Sequence, residues 1–496
     1  MRDHKMKKKS NAAKENRLTS GAALMQAKQY AKACECYGEL ILKYPSDATM
    51  HYCYGVALQE NKQPLQAIGA YCNSLQLNPK LTEAFENLAE AQAELKLFDD
   101  ALLSIRAAIA LKPSRAITHT RLARILVRLG HYTEAIDVAT HSLSLVPDNA
   151  ATLMIRSNAH RGLNQLQESI ADLRQAMAID PNNAELPYNL SFDLLLSEQF
   201  EEGWQRYESR FDTENFLKSA PQMVAPKWSG TDSLEGKTIL VCPEQGLGDQ
   251  IQFARYALVL LGMGAKVIMP VAPALVDIVQ SMHPDVLVTS SLQLASELPQ
   301  HDYYISLMSL LGIFKTDLNN IPYADRYITP DEAITAKWQA RFASKSSKPQ
   351  VGITWSGNQL HVNDHNRSMP LTQLAPLLNL DVDWHILQTE IREADELLLS
   401  QTPLKDWRPE LTTLHETAGL LDQLDLLITV DTSVAHLSAA LGKPTWIMLP
   451  YAPDFRWLLN RSDTPWYPSV QLFRQSKPSD WESVTSQIFK TLTQPN

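Results

Sequence analysis

The chain has 496 residues, a net charge of −10, and 45% hydrophobic against 20% charged residues. Those proportions exclude a mostly disordered chain, and the length exceeds what one core fills, so two or three domains are expected. Up to residue 217 there are 24 basic and 26 acidic residues, and beyond it 21 and 29, so neither part has the basic excess of a general nucleic-acid binder.

The composition is uneven along the chain. Nine of ten tryptophans lie after residue 217, and four of five cysteines lie before residue 73. Two kinds of construction are joined here. Residues 1–13 read as a basic tail with Arg2, Lys5, Lys7, Lys8 and Lys9. No apolar core follows the tail, so no secretory leader is expected. The most apolar stretch, 256–276, contains Lys266, two glycines and two prolines, which does not suit a membrane span. Few cysteines, odd in number, do not suit a disulfide framework. A cytoplasmic protein of bacterial style is expected.

From residue 14 to 217 the chain repeats. Pro45, Pro79, Pro113, Pro147 and Pro181 are each 34 residues apart. The columns Gly21, Gly55, Ala89, Ala123, Ser157, Ser191 and Ala33, Ala67, Ala101, Ala135, Ser169, Gly203 hold small residues. The column Tyr37, Tyr71, Ile105, Ala139, Leu173, Tyr207 is mostly large. Such a period predicts stacked helical hairpins, small residues where backbones approach and a proline closing each second helix. The pattern resembles the tetratricopeptide (TPR) family, with five full repeats and a divergent sixth. In that sixth unit Trp204, Tyr207 and Phe211 fall on one helical face, as expected of a capping helix docked on the next domain. The inner groove is where a peptide would lie. Asn87, Asn158 and Asn189 fit either peptide contacts or solvated positions.

Residues 218–236 read as a linker. Strands are expected at 237–242, 266–270 and 303–307, then, after an interlobe helix and hinge over 331–349, at 351–355, 384–388, 424–430 and 445–449. Alternation with helices predicts two Rossmann-like lobes, 237–330 and 350–496, with ligands at the carboxyl ends of their strands.

Three constellations sit at such ends. Gly246-Leu-Gly248-Asp249 follows a strand and opens a helix, but is neither a dinucleotide fingerprint nor a P-loop. Asp249 fits a general base and a helix cap equally. Asp431-Thr432-Ser433 with His436 shares one face of a helix start, where free amides favour a diphosphate. The competing reading is a cap with an ordinary histidine. Ser356-Gly357-Asn358, Gln388 and the loop bearing Arg367 offer polar contacts to a phosphate. His361, Asp364 and His365 lack metal-site spacing, so no metal is expected. The carboxylate pair Asp381 and Asp383 precedes a strand, where a donor site is not expected.

The Gly-Leu-Gly-Asp249 loop, the strand–loop 351–358 and the run Asp431-Thr-Ser-Val-Ala-His436 to Pro444 resemble glycosyltransferase family 9, the ADP-heptose:lipopolysaccharide heptosyltransferases. The resemblance implies an α-helical TPR solenoid followed by an α/β GT-B domain and a metal-independent inverting glycosyltransferase with no cofactor beyond its nucleotide-sugar donor. It implies Asp249 as base, Thr432, Ser433 and His436 as diphosphate holders, and Asp431 as a donor contact. Gly246, Gly248, Ser356, Gly357, Asn358, Arg367 and Gln388 complete the expected donor surface. A solenoid ahead of such a domain is similar to the protein O-GlcNAc transferases, which implies a protein or peptide acceptor. The alternatives are a TPR scaffold with an inactive GT-B domain and heptosyl transfer in lipopolysaccharide core assembly.

Overall fold

In the computed structural model, each proline of the 34-residue column lies two residues beyond a helix. These helices are Tyr30–Lys43, Pro64–Leu77, Phe98–Leu111, Tyr132–Leu145 and Leu166–Ile179. The residue before each proline has φ between −128° and −139°. A proline forces this on its predecessor by steric clash, so the helix ends before the missing N–H is reached. The structure describes residues 18–219, 223, 225–291, 299–343, 346–361 and 363–494; the expected basic tail lies outside them.

The small and large columns interlock. A Cβ on Gly21 would meet the Tyr37 ring at 2.6 Å, and one on Gly55 the Tyr71 ring at 2.6 Å. Where the large column holds Ile105, Ala139 or Leu173, the facing position is Ala89, Ala123 or Ser157. With Ile105 and Leu173 a larger residue in the small column accompanies a smaller one in the large column, whereas Ala123 with Ala139 is small on both sides. The turn inside each hairpin is also periodic, since Lys28, Lys62, Lys96, Gly130, Asn164 and Glu198 all have positive φ. Only one of the six is glycine, which hid this column from the sequence.

The chain divides into two compact units, residues up to Asn182 and from Asn183 onward. The first is the solenoid of five hairpins. The sixth, α1 (Glu185–Leu196) and α2 (Phe200–Tyr207), belongs to the second unit, whereas the sequence assigned it to the solenoid. Its aromatic face explains why. Trp204 Nε1 donates to the Thr316 carbonyl at 2.7 Å, and its ring meets Phe455 edge-on at 5.8 Å. Buried Arg210 makes a two-pronged contact with Glu244 at 2.6 and 2.9 Å. Phe211 leaves this stripe and packs on Phe216 at 4.7 Å. The expected linker is anchored too: Trp228 is buried and its backbone N–H donates to the Tyr304 carbonyl.

The rest of the second unit holds two parallel sheets. The first lobe contains β1 (Thr238–Cys242), α3 (Leu247–Phe253), α4 (Tyr256–Gly262), β2 (Lys266–Val271), β3 (Val286–Ser290) and β4 (Tyr303–Ser306). Its strand order is β3-β2-β1-β4, all parallel. After α5 (Glu332–Phe342) comes the second lobe: β5 (Gln350–Thr354), β6 (Asp383–Ile386), β7 (Lys405–Asp406), α6 (Leu414–Gln423), β8 (Leu426–Val430), α7 (Ser433–Ala440), β9 (Thr445–Leu449), β10 (Val470–Arg474) and α8 (Trp481–Thr493). The order β10-β9-β8-β5-β6-β7 reverses direction between β5 and β8. That is the doubly wound pattern, and its crevice lies outside the carboxyl ends of those two strands. At this edge Thr354 pairs with Thr429, and their hydroxyls hydrogen-bond.

Candidate active site

The first lobe delivers Asp249. Gly246 starts α3 with extended backbone, and its N–H donates to Asp249 Oδ2 at 2.9 Å. The carboxylate thus caps its own helix. Its other oxygen, Oδ1, is ion-paired with Nη2 of Arg456 from the second lobe. Of the two readings that the sequence left open for Asp249, the helix cap is the one seen in this geometry. Burial raises the Asp249 carboxyl above its ordinary value, with Arg456 pulling it down and Asp454 pushing it up.

The second lobe delivers the facing helix start. A Cβ on Gly248 would stand 2.8 Å from His436 Cδ2. Glycine is needed because α3 and α7 meet there. His436 is buried, stacks on Trp457 at 5.4 Å and contacts the Tyr467 hydroxyl through Nδ1 at 3.1 Å. Burial and the cations Arg456 and Arg255 hold it well below the usual histidine range, so it is neutral. Tyr467 lies 3.4 Å from Tyr327, which donates to the Ile251 carbonyl and accepts from Arg255. Nδ1 is taken by Tyr467 in either tautomer, which leaves Nε2, 3.8 Å from Asp431 Oδ1. The expected diphosphate contact from His436 is therefore limited to that one nitrogen.

Arg367 reaches Asp431 from one of the expected polar loops. Arg367 Nη1 donates to the Asp431 carbonyl at 3.0 Å. Gly357 lets the guanidinium approach, since a Cβ there would be 2.7 Å from Arg367 Nη2. Ser356 and Gln388 have a different task. Gln388 Oε1 accepts from the amides of Trp355 and Ser356, while Nε2 donates to Ser356 Oγ and the Glu390 carbonyl. The expected donor contact is a buried strut that fixes the loop. Asn358 is exposed and accepts from the Leu360 amide. Asp364 is buried against Ser368 and Arg392, and Asp383 pairs with Lys405, Ser346 and Gln350. Asn87, an expected groove residue, is held by Tyr52 and Arg121. Among the described residues no group of three or more His, Cys, Asp or Glu is placed to hold a metal ion.

The sequence gives the loop after β9 no assigned role in the site. Asp454 caps a short turn, Phe455–Trp457, and accepts from Arg456 Nη1. The Arg456 guanidinium lies over the rings of Phe455 at 4.6 Å and Phe253 at 5.5 Å. Leu458 has φ 54° and ψ −170°, which leucine rarely adopts. Arg474 holds the strained segment by donating to the carbonyls of Trp457, Leu458 and Arg461. The motif Pro453-Asp-Phe-Arg456-Trp457 was visible, but its partner Asp249 lies 207 residues away.

Three carboxyls, Asp249, Asp431 and Asp454, thus meet two guanidinium groups. Asp431 is pushed up to about 6, by burial first and then by Asp454, against Arg456 and Arg367. A folded-state value raised from 3.8 costs stability above pH 6 and returns it as pH falls towards 4. We expect Asp431→Asn to stabilise the protein at pH 8 by up to about 3 kcal/mol. The gain should vanish near pH 4, as urea unfolding across pH would show.

Residues 409–450, which span α6, β8, α7 and β9, match the model of glycosyltransferase family 9 (heptosyltransferase). Residues 18–82 and 120–184 match the tetratricopeptide repeat. The chain carries TPR repeats and a family 9 segment. That segment contains Asp431, Thr432, Ser433 and His436. Protein FlbA of Caulobacter vibrioides is 26% identical over 445 residues, 84% of this chain and 73% of that one. The DnaJ homolog subfamily C member 7 homolog of Dictyostelium discoideum is 24% identical over 184 residues, 34% of each chain. Among solved structures, MamA aligns at 17% identity and TM-score 0.32, over 35% of this chain and 94% of its own. No helix among the described residues is long and apolar enough to cross a membrane.

Proposed function

We propose that the second unit is a GT-B glycosyltransferase that transfers a sugar from a nucleotide-sugar donor with inversion and without a metal. One observation supports this above others: the start of α3, bearing Asp249, meets the start of α7 at the carboxyl ends of two parallel sheets. The first amides of α7 have no partner inside the helix and favour an anion. With Thr432, Ser433 and Arg367 beside them, they suit a departing diphosphate. Asp249 is the group that takes the acceptor proton. TPR repeats suit protein partners, and a protein or peptide acceptor in the cytoplasm is our reading of the solenoid.

A thermal-shift screen of UDP-, GDP-, ADP- and CMP-linked sugars tests this. One donor class should stabilise the chain and undergo slow hydrolysis. Silence from every donor would favour the scaffold reading instead.

A further inference from the structure

Arg456 has two properties that the mechanism above leaves unexplained. It neutralises the carboxylate that is meant to act as a base, and it reaches Asp249 from the opposite lobe, across the meeting of α3 and α7. Its Nη2 is spent on Asp249 and its Nη1 on Asp454, while its buried Nε has no partner. A guanidinium stays charged at any working pH, so this contact cannot be relieved by losing a proton. The adjacent cation lowers the affinity of this carboxylate for a proton, against the burial that raises it.

A diphosphate entering beside α7 changes the balance. It brings more negative charge than one carboxylate, and phosphate oxygens suit the planar guanidinium fork. The site sets three carboxyl groups, Asp249, Asp431 and Asp454, against two guanidinium groups, Arg456 and Arg367. An added anion competes with them for these cations. Asp454 shares a short turn with Arg456 and is fixed to its amide at 3.1 Å. Asp249 belongs to the other lobe and keeps its second oxygen on Gly246, so it is the partner more easily given up.

We propose that Arg456 is a hand-over residue: it masks Asp249 while the site is empty, and the donor diphosphate displaces that carboxylate to free it for the acceptor. The proposal rests on the glycosyltransferase reading. In the coupled step the acceptor hydroxyl gives its proton to Asp249 Oδ1. The acceptor oxygen forms the bond to the anomeric carbon as the bond to the phosphate oxygen breaks. The electron pair leaves with the diphosphate, whose charge Arg456 offsets. The base is thus exposed only when a donor is present to react.

The test is a double-mutant cycle on ligand affinity, with inorganic pyrophosphate, ADP, GDP, UDP and CDP as probes in calorimetric titrations. Removing the competing carboxylate by Asp249→Asn should tighten binding of the preferred diphosphate about tenfold. Arg456→Ala should weaken it about tenfold or more, and the double variant should match Arg456→Ala, since the effect of Asp249 acts through that arginine. Arg456→Lys gives the same comparison if the alanine variant melts early. Affinity unchanged in Asp249→Asn, or additive effects in the double variant, would overturn the hand-over alone. A wild-type chain that binds no probe would overturn the glycosyltransferase reading and the hand-over together.

Discussion

Asp249→Asn should lower sugar transfer by two to four orders of magnitude in a chain that still folds and binds diphosphate. General-base catalysis contributes on that scale. Asparagine is the informative replacement because its side-chain oxygen still accepts from the Gly246 amide, as Asp249 Oδ2 does now. The helix cap survives, and only the proton acceptor is removed. If the carboxylate served only to start α3, activity would persist. The two readings that the Gly-Leu-Gly-Asp sequence left even are separated by this one substitution. Transfer is followed by mass of the acceptor at saturating donor, with donor hydrolysis as the second readout. Full turnover would remove Asp249 from the chemistry and leave Arg456 as its structural partner.

The sequence made legible whatever depends on periodicity or on burial of both faces of a strand. Five helix ends follow from five prolines, and the buried strands β1, β2, β5, β8 and β9 follow from short apolar runs. Strand β7 has two exposed charged residues and offers no apolar run to read. In the site, the positions near strand ends were legible but their partners were not. Gln388 sits where a donor contact is expected, yet its amide is saturated by the loop it braces. Arg456 and Asp454 lie on a loop with no regular pattern. Their role arises only when the second lobe meets Asp249 of the first. A pairing across 207 residues leaves no local trace in one sequence.

The boundary is the other large effect. A chain beginning at residue 218, where the repeat pattern ends, should fail to fold, whereas one beginning at residue 183 should fold cooperatively. The excised hairpin belongs to the second unit. Its loss leaves Glu244, whose side chain is nearly buried, without the two nitrogens of Arg210. Breaking a buried ion pair costs about 3–5 kcal/mol. Trp204 and Tyr207 also leave, exposing Phe455 and the Thr316 carbonyl. Removing one large buried aromatic costs about 3–5 kcal/mol. Together these losses rival the whole stability of an ordinary domain, about 5–15 kcal/mol. Near-ultraviolet circular dichroism and thermal unfolding of the two truncated chains would check this. A cooperative melt from the chain starting at 218 would restore the sixth hairpin to the solenoid. The hairpin also packs against Phe455, the neighbour of Arg456. Trp204→Ala in the full chain should therefore weaken diphosphate binding as well as stability, which ties the last repeat-like hairpin to the site rather than to the groove.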